Sequence, residues 1–300
     1  MNVIETNNIC KKYASQMAVD HVSMHIKEGC IYGFVGENGS GKTSIMRLLT
    51  GLAELSGGSF SIFGIDNKNP SIYKERKKIA AIVEVPSFVP SMTPIDNIIY
   101  QEKYLGVKLT GEERISLLRK VHLEDAIKKK VKNFSLGMRQ RLAIALCLIN
   151  KPRILMLDEP MNGLDPEGIV ELRELLISLN KEEGITILIS SHILSELEKI
   201  ATDYGFISHG KLLEEISYED LLKKCRKSIS LTVDDIFKAK EILKKYQDYE
   251  VSPQGEIKIY DNKNIKEVVK DFDALDILSF KSQDESVEDY YLSLARGARL

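Results

Sequence analysis

Hydrophobic and polar positions alternate from the N-terminus onward, and the alternation predicts a β-rich stretch over residues 3–35. Val22, Met24 and Ile26 alternate with polar neighbours, and Glu28-Gly29 predicts a turn. Ile31 to Val35 is continuous enough for a buried central strand. Ser44 to Leu49 then reads as a helix. Gly57 to Gly64 predicts a strand between turns, Tyr73 to Lys78 a basic helical segment, and Ile79 to Val83 an apolar strand. Pro86, Pro90 and Pro94 punctuate the loop that follows, which ends at a helix start near Asp96-Asn97. Residues 95–150 are mostly helical in period, on Leu117, Leu118 and Val121 and again on Leu142, Ala145, Leu146 and Ile149. Ile154 to Leu157 and Ile185 to Ile189 read as core strands. Between them, Leu172, Leu175, Leu176 and Leu179 share one helix face.

Beyond about residue 217 the pattern changes. Ile229, Leu231 and Val233 alternate as a strand, and Ile236, Ala239, Leu243 and Tyr246 fit a helix. Pro253-Gln254-Gly255 turns between two short strands, the second holding Ile257 and Ile259. A helix on Ile265, Val268, Val269 and Phe272 precedes a strand near Ile277 to Lys281. This strand, helix, strand, strand, helix, strand order predicts a small C-terminal α+β domain of ferredoxin-like type over 218–300. Ser286 to Arg296 closes the chain as a capped amphipathic helix.

The predicted strand at 31–35 and helix at 44–49 enclose Gly36-Glu37-Asn38-Gly39-Ser40-Gly41-Lys42-Thr43. Gly, four residues, then Gly-Lys-Thr is the spacing of a phosphate-cradling loop. Its glycines bring backbone N–H groups close to phosphate oxygens, and the helix N-terminus offers positive potential. Lys42 then reaches the β- and γ-phosphates of a nucleotide, and the Thr43 hydroxyl binds Mg²⁺. Gly36, Asn38, Gly39, Ser40, Gly41, Lys42, Thr43 and Ser44 are the expected nucleotide contacts; the alternative is a Gly-rich turn.

The run Ile154 to Leu157 delivers Asp158 and Glu159 at its carboxyl end, where ligands bind in open α/β sheets. Ion-pair partners at a strand end are the structural alternative. Beside a phosphate loop, metal and water chemistry is the natural use of Asp158 and Glu159. His192 ends the strand at 185–189 and is expected beside those two acids. Tyr13 is placed where its ring stacks on a nucleotide base, or else it is a half-buried surface tyrosine. His21 and His25, four apart on a strand, lie too far apart to share one ion.

Composition removes several function classes. The 300 residues suffice for two domains, and a net charge of -2 gives no global pull toward nucleic acid or acidic lipid. No nucleic-acid partner is expected. The longest apolar stretch, Leu142 to Ile149, is far short of the ~18–20 residues that cross a bilayer. The N-terminus has neither the basic nor the apolar region of a secretory signal. Cys10, Cys30, Cys147 and Cys225 are spread without a Cys-x-x-Cys pair and read as reduced cytosolic thiols.

Taken together, residues 1–217 resemble the ATP-binding subunit of an ABC transporter, an α/β fold of P-loop NTPase type with a helical subdomain at about 90–150. Asn133-Phe134-Ser135-Leu136-Gly137-Met138-Arg139-Gln140-Arg141 is similar to the family's signature motif, with Ser135, Gly137 and Gln140 carrying over. Asn162-Gly163-Leu164-Asp165 looks like its D-loop, and His192 like its switch histidine. The resemblance implies a head-to-tail pair of ATP-binding subunits, in which Ser135 and Gly137 of one copy meet the γ-phosphate held by Lys42 of the other. It also implies Mg²⁺ held by Thr43 and Asp158, Glu159 as the candidate base for water and His192 as a contact to the γ-phosphate.

Glu84 stands where most of the family carries a glutamine that touches Mg²⁺ and the attacking water. Its catalytic and metal roles therefore stay open beside that of a surface acid. Glu84 followed by Pro and an aromatic, and the C-terminal Ser286 to Leu292, resemble exporters that confer self-protection against bacitracin or lantibiotic peptides. That branch implies a cytoplasmic ATPase on the inner face of the cell membrane, docked on a separate integral-membrane permease. An importer subunit, or a non-transport member acting on ribosomes or DNA, are the alternatives.

Overall fold

The structure, a computed structural model, describes residues 1–84, 87–225, 228–253, 255–260, 265–283 and 286–297. The chain divides into two units, Met1–Tyr218 and Glu219–Gly297.

In the first unit β1 (Asn2–Tyr13), β2 (Gln16–Val22), β3 (His25–Lys27) and β4 (Ile31–Val35) lead into α1 (Lys42–Thr50). β5 (Gly57–Ile62), β6 (Ile65–Asp66), α2 (Ile72–Arg76) and β7 (Ile79–Ile82) follow. The helical stretch holds α3 (Pro94–Leu105), α4 (Gly111–Lys120) and α5 (Leu136–Leu148). β8 (Ile154–Leu157), α6 (Pro166–Glu183), β9 (Thr186–Ser191), α7 (Leu194–Leu197), β10 (Asp203–Ser208) and β11 (Lys211–Ser217) complete it.

Two sheets result. An antiparallel sheet runs β2-β1-β5-β6 with β3 also on β1, and a larger one runs β11-β10-β4-β9-β8-β7. From β10 to β7 every pairing is parallel; only β11 is antiparallel. Every residue of β4, β8 and β9 is buried. That burial explains their uninterrupted apolar runs, since a parallel strand is covered on both faces. Each fully buried aliphatic side chain there contributes roughly 1.5–3 kcal/mol relative to exposure.

The helices start on local chemistry. Thr93 with Asp96 and Thr110 with Glu113 form capping boxes at α3 and α4, and Asp165 caps α6 with Pro166 as its first residue. Between α3 and α4, Arg114 grips buried Glu102 with Nε to Oε1 at 2.7 Å and Nη2 to Oε2 at 2.8 Å. That fork holds the Glu102 carboxyl below its ordinary range.

At the boundary lies α8 (Tyr218–Lys224), followed by β12 (Ser228–Val233), α9 (Ile236–Leu243), β13 (Tyr249–Val251) and β14 (Glu256–Ile259). α10 (Ile265–Asp271), β15 (Ile277–Gln283) and α11 (Val287–Gly297) end the chain. The sheet order is β13-β14-β12-β15, antiparallel throughout. From β12 to β15 this is the strand and helix order of a split βαβ unit. Its core gathers Ile229, Leu231, Ala239, Leu243, Ile257, Val268 and Phe272. Of the turn at 253–255, Gln254 lies outside the described residues.

Candidate nucleotide site

Because β4, β9, β8 and β7 lie side by side and point the same way, their carboxyl ends form one edge. From that edge spring the loop at 36–41, Asp158 with Glu159, His192 and Glu84. Residues far apart in sequence therefore meet at the place where an open α/β sheet binds its ligand.

The loop's shape depends on glycine at position 41. Its φ is +110°, and a Cβ there would meet the Ala18 carbonyl oxygen at 2.5 Å. No side chain fits, and the backbone can bend into α1 only without one. Lys42, 5% exposed, donates from Nζ to the carbonyl oxygens of Gly36 at 2.6 Å and Glu37 at 3.1 Å. The hydroxyl of Ser40, also buried, has no partner among the described residues. A buried orphan hydroxyl beside a glycine-rich turn fits an oxygen-rich anion such as phosphate.

The Thr43 hydroxyl donates to Asp158 Oδ2 at 2.6 Å, and the Ser190 hydroxyl donates to Asp158 Oδ1 at 2.7 Å. Ser190 Oγ in turn accepts the Glu159 N–H at 2.9 Å, so one hydroxyl fixes both acids. Glu159 itself adopts a left-handed backbone, φ +49°, which costs a non-glycine residue about 1 kcal/mol. Its side chain spans two partners. His192 Nδ1 donates to Glu159 Oε2 at 2.7 Å, and Glu159 Oε1 lies 3.3 Å from Lys42 Nζ. The second contact is an ion pair without hydrogen-bond alignment, since that oxygen has no hydrogen-bond partner. The hydroxyl of Thr43 and the carboxylate of Asp158 form a hard oxygen donor set, which fits Mg²⁺.

Comparisons with known proteins follow the same lines. Residues 19–162 match the family described as ABC transporter. A bacitracin transport ATP-binding protein of Bacillus licheniformis is 40% identical, covering 99% of this chain and 99% of the relative. The chain belongs to the ATP-binding proteins of ABC transporters. A lantibiotic transport ATP-binding protein of Streptococcus pyogenes is 43% identical across 72% of this chain and 92% of its own length. Among solved structures, a dimeric post-hydrolysis state of an ATP-binding cassette bound to ADP and Pi is 25% identical. Its TM-score is 0.64, over 72% of this chain and 98% of that one. This protein is an ABC-type ATPase.

Within one cassette the signature residues stand apart from this cluster. Ser135 caps α5, its hydroxyl accepting the Met138 N–H at 3.2 Å. Beyond its own helix, a Cβ at Gly137 would meet Gly168 Cα and Leu164 Cδ2, both at 3.8 Å. The signature end of α5 thus lies against the D-loop side of α6. Glu84, 57% exposed, pairs with Arg47 of α1. Tyr13 ends β1 at 40% exposure, with the Lys11 ammonium 4.9 Å from its ring centroid.

The sequence pattern gave no sign of the hydrogen bonds of Ser190 to the two acids or of the Arg47–Glu84 pair. The one signal for Ser190 was its position two residues before His192 at a core-strand end. His25 Nδ1 meets Glu215 at 2.9 Å and His21 Nδ1 meets Asp20 at 2.6 Å, so each histidine has its own carboxylate partner. A bulge between β1 and β2 brings Cys10 to within 4.8 Å of Asp20 and His21. That trio is already partnered, with Asp20 on Lys211 at 3.4 Å and Cys10 Sγ accepting the His21 N–H at 3.4 Å.

Proposed function

We propose that this ATPase powers export of a peptide antibiotic of bacitracin or lantibiotic type through a separate membrane-spanning permease. The observation that carries the chemistry is the convergence of Lys42, Glu159 and His192 at neighbouring strand ends. Lys42 turns from the Gly36 and Glu37 carbonyls to the β- and γ-phosphates. Thr43 and Asp158 hold Mg²⁺, which when bound neutralises charge on the phosphates. Glu159 takes a proton from the attacking water at one carboxylate oxygen, while His192 orients that carboxylate through the other. Ser190 keeps both acids in register.

Ser135 and Gly137 lie outside this cluster, so the reading requires a second copy whose α5 N-terminus closes over the γ-phosphate. A relative of known structure is dimeric. Transport is supported by the likeness to a bacitracin transport ATP-binding protein, which extends through the C-terminal unit. No described helix is long and apolar enough to cross a membrane. The ATPase then works on the cytoplasmic face of the cell membrane.

The test is affinity purification of the full chain from detergent-solubilised membranes of its own cells, with peptide sensitivity measured after gene deletion. Recovery of a multi-span protein, and lowered resistance to bacitracin or a lantibiotic, is the expected result. Recovery with ribosomes or DNA and no membrane protein would overturn it.

A further inference from the structure

Resting on the reading of residues 36–43 as the phosphate loop, we propose that Arg47 is a positioning residue for the nucleotide site. Its guanidinium binds Glu84 just beyond β7 and cancels the negative charge of that carboxylate beside the phosphates.

The placement starts from helix geometry. Arg47 follows Thr43 by four residues on α1, so the two share a helix face, about 6 Å apart along the axis. From there its Nη2 donates to Glu84 Oε1. The Glu84 backbone is left-handed at φ +67°, a conformation that a non-glycine residue keeps only when its surroundings hold it. The Glu84 side chain is held by the ion pair to Arg47. Glu84 first and Tyr13 second raise the affinity of Arg47 for its proton through hydrogen bonds. Arg47 also lies in the last turn of α1, where a cation is favoured by the helix dipole.

The charge balance explains why this matters. Asp158, Glu159 and Glu84 all stand at the strand-end edge that would receive a polyanion, against the cations Lys42 and Arg47. One helical turn is inside the Debye length of ~8 Å at physiological salt, so the charges at positions 47 and 84 act on bound phosphate. Both side chains are partly exposed, 33% for Arg47 and 57% for Glu84, which limits each effect to the modest range of surface charges.

The dissociation constant of Mg-ATP for the full chain, at low and high salt, tests this directly. Arg47→Met leaves Glu84 uncompensated and weakens binding by about two- to fivefold at low salt. Glu84→Gln leaves Arg47 uncompensated and tightens binding by a similar factor. The double variant returns to within about twofold of the parent, Arg47→Lys binds close to the parent, and both single shifts shrink at high salt. A merely structural role moves both single variants in the same direction with little salt dependence, and that result would overturn the proposal. Equal affinity in Arg47→Met and the parent would do so too. Lys42→Ala serves as the separate control. Full ATP binding by Lys42→Ala would defeat the phosphate-loop reading itself, whereas its loss alongside same-sign shifts at 47 and 84 defeats only this inference.

Discussion

Ser190 is a small residue that supports two large ones. Its hydroxyl donates to Asp158 and accepts from the Glu159 backbone, so removing it strands a buried carboxylate oxygen and a backbone N–H. Ser190→Ala is expected to lower unfolding free energy by about 1–3 kcal/mol in urea titration and to reduce ATP turnover, while Ser190→Thr keeps the hydroxyl. The phosphate loop was legible because its chemistry is written in eight consecutive residues. Asp158, Glu159 and His192 were legible because each ends an apolar run. Ser190 and Arg47 were not, since their partners lie 32 and 37 residues away and only the sheet order brings them together.

Elements differ in how much of their fate is local. β4, β8 and β9 follow directly from unbroken apolar runs, and α3 begins at Pro94, two residues before the predicted start, because Thr93 caps it. β10 and β11 escaped the pattern. β11 reads Lys-Leu-Leu-Glu-Glu-Ile-Ser, half-buried along most of its length, without the alternation that marks a strand. The loop between β4 and α1 makes a sharper test of glycine. Gly41→Ala must displace the Ala18 carbonyl and is expected to abolish folding of the loop and ATP binding. Gly39, at φ +80° with open space around it, should tolerate alanine at about 1–2 kcal/mol of backbone strain. Thermal melts with and without ATP separate the two.

The α3–α4 pair carries a pH dependence. Because Arg114 lowers the folded-state affinity of Glu102 for a proton, the pair contributes stability above the ordinary carboxylate range. That contribution is lost as pH falls through the lower folded value. Glu102→Gln should cost about 1.5–3 kcal/mol at pH 7, and the gap to the parent should narrow below about pH 4 in denaturant titrations.

At the scale of the whole molecule the two units have separate cores, one around Ile4, Phe34, Ile45 and Met156 and the other around Leu231, Leu243 and Phe272. We propose that residues 1–218 fold alone; a chain cut there is expected to bind ATP with the affinity of the full chain by calorimetry. The first unit's function was legible because several motifs occur in a fixed order, whereas the C-terminal unit showed only a fold pattern. We propose that the cassette is half of an ATPase, completed by a second copy and driven by Glu159. The most direct measurement is sedimentation velocity with Mg-ATP alongside turnover for Glu159→Gln. An ATP-dependent dimer whose turnover is at least about 100-fold below that of the parent is expected. Near-normal turnover, or a monomer at saturating ATP, would contradict it.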